Sequence, residues 1–246
     1  MIDLHSHLLP GIDDGAQNMV EALELAAHAV ACGTTHMVCT PHLHPGRYSN
    51  TAASIALAVT EFAAALEQAA IPLHVSAAAE ARFDSDLVTL ARRNELPFVG
   101  EWNGRHVLLL EFPHSEIPAQ ADKLTGWMLK NNIQPMIAHP ERNKGVMANY
   151  KRIQPFLEQG CLLQVTAGSL AGQFGPTAQD LAEFLLLGNH ITILASDAHN
   201  MKNRQPNLLP GLEQATRLIG GTAARKLVED HPWRMAHGHF PVTSTT

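Results

Sequence analysis

The sequence predicts an α/β fold, a closed barrel of parallel strands with helices outside. Three observations predict it. Short β-rich runs alternate with helical stretches almost from end to end, as repeated βα units do. Seven such units fit in 246 residues, a length that suits one α/β barrel. No glycine-rich phosphate fingerprint follows the first run, which argues against an open doubly wound sheet.

The first run is Met1 to His7. Asn18 to Ala31 (NMVEALELAAHAVA) has helical spacing, with Gly33 placed to end it. The second run is Thr35 to His42, followed by an alanine-rich helix from Thr51 to Ala70. The third is Leu73 to Phe83, with a shorter helix near Asp84 to Arg93. The fourth, His106 to Pro113, contains VLLLEF, an apolar stretch suited to a strand buried on both faces. A helix over Ile117 to Asn131 leads to the fifth run, Gln134 to His139. Tyr150 to Gln159 is helical and stops at Gly160, before the sixth run, Leu162 to Thr166. A helix from Thr177 to Leu187 precedes the seventh, Ile191 to Ser196. Helices over Leu208 to Ile219 and Thr222 to Glu229 close the pattern. No linker or low-complexity segment interrupts it, so one domain is expected over 1–246, with Pro241 to Thr246 fraying.

Composition narrows the function. Hydrophobic residues at 46% and charged residues at 16% exclude a disordered chain. Seventeen Lys and Arg against 23 Asp and Glu give a net charge of −6 with no basic run, which speaks against nucleic acid as a partner. The N-terminus has no basic leader, and no apolar stretch reaches the ~18 residues of a membrane span. A cytoplasmic protein is expected, and self-association is left open. The cysteines, Cys32, Cys39 and Cys161, are odd in number and form no CxxC, which fits a reducing compartment. No Cys-x5-Arg loop marks a thiol phosphatase. Fifteen histidines are far more than an ordinary domain carries, and histidine is the commonest metal ligand.

The chemically active residues sit at the ends of the apolar runs. His5 and His7 close the first, with Asp13 and Asp14 in the loop after it. His42 closes the second, Glu80 lies late in the third, Glu111 ends the fourth and His139 ends the fifth. Asp197 and His199 follow the seventh. In a parallel barrel these ends open on one face, so the candidates converge on one bowl. Each has a bland reading. HxH occurs on ordinary exposed strands, since alternation puts both side chains on one side. His42 and His139 stand beside prolines and suit loop positions. Glu111 after four apolar residues is sharper, because a lone buried carboxylate is costly without a cation. Taken together, in register, they predict a metal centre. His36, His74 and His106 fall at strand starts, and His28, His190, His231, His237 and His239 fall away from the bowl. These read as packing or surface residues.

The stretches HSHLLPGIDDG, TPHLHPGRY, AAAEARFD, LLLEFP, IAHPERN and ASDAHN, in this order from Met1 to about Arg204, resemble the successive motifs of PHP-superfamily metal-dependent phosphatases. The nearest resemblance is to bacterial CpsB/YwqE-type protein-tyrosine phosphatases of capsule and exopolysaccharide loci. It implies a distorted TIM-like (β/α)7 barrel of the PHP type and three divalent ions, Mn above all, with Fe or Zn as alternatives. The implied ligands are His5, His7, Glu80 and Asp197 for one ion, and Glu80, Glu111 and His139 for a second. Asp14, His42 and His199 would hold a third. The arginine of HPER is Arg142, and the one after SDAHN is Arg204; both are implied to grip the phosphate. The implied substrate is the phosphotyrosine tail of a bacterial tyrosine autokinase that controls capsule or exopolysaccharide synthesis. No roles are assigned to Asp13, His44, Arg47, Tyr48 or His114.

Elementary chemistry agrees with that implication. Four carboxylates against three divalent ions leave a positive centre, complementary to a phosphomonoester dianion. A metal-activated hydroxide can attack phosphorus with no covalent phosphoenzyme. Three rivals stay open at this point: a small-molecule phosphatase of the histidinol-phosphate kind, a TIM-type amidohydrolase, and a non-catalytic scaffold. The strands are nearly free of lysine, so the amidohydrolase lacks a carbamylated-lysine candidate.

Overall fold

The computed structural model describes residues 1–240; the expected fraying of Pro241 to Thr246 lies outside the described residues. The strands are β1 (Ile2–Asp3), β2 (His36–Cys39), β3 (His42–Leu43), β4 (His74–Ala77), β5 (Glu80–Arg82), β6 (Gly100–Trp102), β7 (Arg105–Glu111), β8 (Ile133–Ala138), β9 (Leu162–Thr166) and β10 (Ile193–Ala195). All pair in parallel except β6, which is antiparallel to β7.

Two of the expected runs are each broken into two strands. β2 and β3 are interrupted at Thr40 and Pro41, where proline has no N–H to give the ladder. β4 and β5 are interrupted at Ala78 and Ala79. The breaks put β1, β2 and β4 in one sheet and β3, β5, β7, β8, β9 and β10 in another. Backbone bonds carry the chain around the gap. Ser6 and Ala198 form a parallel bridge. Asp197 N–H donates to His5 O at 2.8 Å, and His7 N–H donates to Ala198 O at 2.8 Å. The first and seventh runs therefore meet, and the circuit of neighbours is a distorted TIM-like barrel.

Alternation along the strands builds two cores. Leu108 and Leu110 of β7 and Ile137 of β8 face the helices. Val107 and Leu109 of β7 and Met136 of β8 join Leu4, Val38 and Ile193 in a smaller cluster that fills the interior. VLLL is buried on both faces, as its lack of polar residues requires. The helices outside follow their sequence signals. Met19–Ala31 buries Ala22, Leu25, Ala26 and Ala29, one helical stripe, and Asn18 caps it by accepting from Glu21 N. Gly33 takes φ 86 just past that helix, the left-handed exit that glycine favours.

Several elements differ from the sequence expectation. Asn103 and Gly104, both at positive φ, make the two-residue turn of a hairpin joining β6 to β7, a known signature of Asn-Gly. The expected helix from Tyr150 to Gln159 is a 3-10 turn, Tyr150–Ile153, followed by a short helix, Gln154–Glu158. The final segment holds helices Gly221–Lys226 and Asp230–Ala236 in place of one from Thr222 to Glu229. Met235, Ala236 and Phe240 from that segment plug the interior cluster at the strand-start end. No helix among the described residues is long and apolar enough to cross a membrane.

Candidate metal centre

Parallel strands bring their C-terminal ends to one rim, and all nine candidate ligands lie there in four overlapping groups. Glu80 stands in the middle. Its Oε1 is 2.8 Å from His139 Nε2 and 3.4 Å from His5 Nε2. Its Oε2 is 3.0 Å from His42 Nδ1 and 3.4 Å from His7 Nε2. Asp197 Oδ1 lies 3.2 Å from His5 Nε2 and 3.4 Å from His7 Nε2. Asp14 Oδ1 lies 3.2 Å from His42 Nε2 and 3.6 Å from His199 Nε2, and His7 belongs to the same group.

The geometric groups cut across the ligand sets implied by resemblance. Asp14, His42 and His199 fall together with His7, and His5, His7 and Glu80 form a group that does not include Asp197. Glu111 is grouped with Glu80 and His42, whereas His139 is grouped with His5 and Asp197 and touches Glu80. Glu111 is held instead by an ion pair with Arg82, 2.9 Å from Nη1 to Oε2.

Hydrogen bonding decides which ring nitrogens carry lone pairs. Gln164 Oε1 accepts from the backbone N–H of His139 at 3.1 Å. The same oxygen lies 2.9 Å from His5 Nδ1, so that nitrogen carries the proton and Nε2 the lone pair. Asp13 Oδ2 accepts from His7 Nδ1 at 2.7 Å and from His42 N at 3.0 Å, leaving His7 Nε2 as the lone pair. His199 Nδ1 donates to Asp197 O at 3.0 Å, with the same result. His5 Nε2 and His7 Nε2 then face each other at 3.3 Å. With both rings neutral these are two opposed lone pairs beside a buried Asp197 Oδ1 that receives no hydrogen bond, a poor arrangement that positive charge, as a proton on His7 or a bound cation, relieves. The donor set therefore fits divalent ions, with mixed His and carboxylate ligands suiting Mn, Fe or Zn better than Mg.

Titration points the same way. Burial opposes charge on His42, but Asp14 and Glu80 beside it raise its pKa to about 9. Burial likewise opposes charge on His7, yet Asp13, Asp197 and Glu80 raise it well above its ordinary value. The carboxylates thus draw positive charge into the bowl. His139 moves down to about 4 through burial and the neighbouring Arg142, and His199 to about 4 through burial and His7.

Local structure supplies the aim. Gly15 lies so close to the first run that a Cβ on it would stand 1.9 Å from His7 O; this approach folds Asp13 and Asp14 back over His7. Asp13 Oδ1 also accepts from Gly15 N at 2.9 Å. Asp13 and Gln164 orient candidate ligands from behind. Gln164 stands in β9, the sixth run and the one run with no candidate ligand at or just past its end. A fully buried Gln within the apolar LLQVT is a signal the sequence reading passed over. Arg82, inside AAAEARFD, was passed over as well.

Both expected phosphate-binding arginines reach the bowl. Arg142 Nη2 and Arg204 Nη2 each donate to Asp197 Oδ2. The Arg142 guanidinium also sits over the Phe174 ring, 4.7 Å from its centre. Glu141, buried beside Arg142, accepts from Thr166 N at 3.0 Å and Ser169 Oγ at 2.7 Å, which pins this loop to the end of β9. A cavity of about 320 Å³ opens over the centre, with Arg47, Arg82, Arg142 and Arg204 and the imidazoles of His44 and His114 on its walls. The cysteines lie elsewhere. Burial pushes the Cys39 and Cys161 thiols up to about 12, the opposite of an activated nucleophile.

Comparison with known proteins follows this geometry. The chain is 37% identical over 231 residues to tyrosine-protein phosphatase YwqE of Bacillus subtilis strain 168, covering 94% of this chain and 89% of that protein. It is 25% identical to tyrosine-protein phosphatase CpsB of Streptococcus pneumoniae, covering 94% and 96%. A crystal structure from a study of B. subtilis YwqE and S. pneumoniae CpsB, described as unique metal-dependent tyrosine phosphatases, superposes with a TM-score of 0.88 at 33% identity over 95% of this chain and 93% of that one. The Escherichia coli phosphotriesterase homology protein shares the fold alone, at a TM-score of 0.60 and 10% identity, covering 95% and 97%. The model of the family described as capsular polysaccharide synthesis, CpsB/CapC, matches residues 1–237, and the chain belongs to that family.

Proposed function

We propose that this protein is a metal-dependent protein-tyrosine phosphatase of the cytoplasm. Its substrate is the phosphotyrosine tail of a bacterial tyrosine kinase that controls capsule or exopolysaccharide synthesis. The observation that carries the reading is the convergence of imidazole lone pairs and buried carboxylates beside two arginines that share one oxygen of Asp197. His5, His7, Glu80 and Asp197 would hold one divalent ion. Asp14, His42 and His199 would hold a second, with Glu80, Glu111 and His139 serving a third; manganese is the preferred identity. Ions held there supply a water of lowered pKa and positive charge for phosphate oxygens.

The chain's own groups do the rest. Arg142 and Arg204 present planar forks to the phosphate oxygens, and Asp197 Oδ2 holds both forks at the mouth until substrate arrives. Asp13 and Gln164 keep His7 and His5 in the tautomers that expose Nε2. A tyrosine leaving group, with an ordinary pKa near ~10, needs little help from a general acid. At about 320 Å³ the cavity is at the small end of ligand sites, which run from roughly 300 to 1,000 Å³, and it takes one phosphorylated side chain.

Purified protein should lose activity on a phosphotyrosine peptide after EDTA and regain it with Mn²⁺, while metal content is followed by elemental analysis. Full activity in metal-free protein would overturn the metal reading. Turnover of histidinol phosphate in preference to the peptide would favour the small-molecule reading.

A further inference from the structure

The cavity mouth carries more arginine than a phosphate dianion needs, and the four arginines differ in their partners. Arg142 and Arg204 are engaged by Asp197, and Arg82 by Glu111. Arg47 has no carboxylate partner among the described residues. Its guanidinium carbon sits 5.1 Å from the centre of the Tyr48 ring. Tyr48 in turn stacks on the candidate ligand His42, 5.3 Å between centres and 7° between planes. A path of ring contacts thus runs from the metal bowl to an exposed cation at the rim.

The turn that presents Arg47 is built rather than loose. Arg47 N and Tyr48 N both donate to His44 O, at 3.0 and 2.9 Å. Asn50 Nδ2 donates to His42 O at 2.9 Å and to Ile12 O at 3.0 Å, tying the base of the turn to the loop after β1. Asp84, an acid whose charge reaches the neighbouring His44, uses its Oδ1 to accept from Asp86 N at 2.8 Å.

We infer that Arg47, with His44 beside it, forms an outer anion subsite for an acidic side chain flanking the phosphotyrosine. This rests on the phosphotyrosine reading of the cavity. A peptide in extended form advances about 3.3–3.6 Å per residue, so the two contact steps from His42 to Arg47 are spanned within two or three residues. The subsite selects Asp or Glu at those positions and disfavours Lys or Arg.

The test uses the metal-loaded full chain and three phosphotyrosine peptides that differ only in flanking Glu, Ala or Lys. Wild-type protein should favour the Glu peptide over the Ala peptide by about fivefold in kcat/KM at low salt, the scale of one partly exposed ion pair, and the ratio should shrink as salt rises. In Arg47→Ala the ratio should fall to near one. Arg47→Glu should favour the Lys peptide, and Arg47→Lys should keep most of the wild-type preference. An unchanged ratio in folded Arg47→Ala, or active wild-type protein with no flank preference, overturns the subsite alone. Failure to turn over any of the peptides with metal content intact overturns the phosphotyrosine reading and the subsite with it.

Discussion

Histidines gather at both ends of this barrel, in different company. At the strand-start end His36 stacks on His74, 4.8 Å between centres, and meets Trp233 and Phe240 edge-on at 5.3 and 4.9 Å. His239 Nδ1 pairs with Ser76 Oγ at 2.9 Å. No group of three ligating atoms forms there among the described residues. At the other end His5, His7, His42, His139 and His199 share their space with Asp14, Glu80, Glu111 and Asp197. Histidine count is therefore a weak guide. What makes an imidazole a ligand is a second group that fixes its tautomer and a carboxylate that shares its target. Without them the ring is a flat packing surface with a polar edge.

The strongest way to break this contrast is on the loop after β8. His139→Ala should lose or weaken metal and lower kcat. Arg142→Ala should keep metal and lose on the order of 2–4 kcal/mol in kcat/KM, because it removes a preorganised donor to the phosphate. Arg142→Lys should recover only part, since it keeps the charge and loses the fork. Metal analysis beside steady-state kinetics checks all three. An Arg142→Ala variant that loses metal as His139→Ala does would collapse the division of this loop into ligand and phosphate grip.

Asp13 sharpens the contrast from behind the ligand. Asp13→Asn should weaken Mn²⁺ binding by about 10–100-fold, the usual cost of losing a group that orients a metal-bound histidine. Titration calorimetry on the apo protein reads this without activity. Unaltered affinity would mean that His7 keeps its tautomer unaided.

The smallest effect belongs to the other end. Burial, with His74 and the N-terminal amino group nearby, holds His36 below its ordinary 6.5. The unfolded chain then binds more protons than the folded one. The resulting stability is present above about pH 6.5 and is lost as pH falls from there through the folded value. His36→Phe keeps a ring and removes the proton site, so the fall in Tm between about pH 7.5 and pH 5.5 should be shallower. A slope equal to wild type would deny His36 that part.

The sequence made this asymmetry readable because parallel strands sort their residues by end. His36 and His74, at strand starts, had to lie away from His42 and Glu80, at strand ends, and β2 and β4 pair them directly. The run-and-helix order was equally plain, since the apolar spacing of stretches such as Met19–Ala31 and Arg105–Glu111 has one sensible reading. Three things were not plain. The breaks at Thr40 and Ala78 depend on how the sheets curve, which spacing does not record. Gln164 acts through a hydrogen bond across the barrel to a residue 159 positions away, and Asp13 through one that exists only because its loop folds back on His7, 6 positions away. The Asn103–Gly104 turn carried a clear local signal that a search for βα units overlooks.

Two of the candidate ligands stand on backbone that few residues adopt. His139 has φ 33 and ψ 53, and Asp197 has φ 52, both in the left-handed region. A side chain there costs roughly 1–2 kcal/mol, and glycine escapes most of it. His139→Gly would therefore relax the fold while deleting a ligand, whereas Asp197→Gly would also leave Arg142 and Arg204 without their shared partner. Selection for melting temperature alone, applied to metal-free protein, would drift toward glycine at position 139 and yield a sturdier barrel with poorer chemistry. An effort to harden this protein must score turnover in every round, because at this position thermal robustness and catalytic aim draw on the same backbone angles.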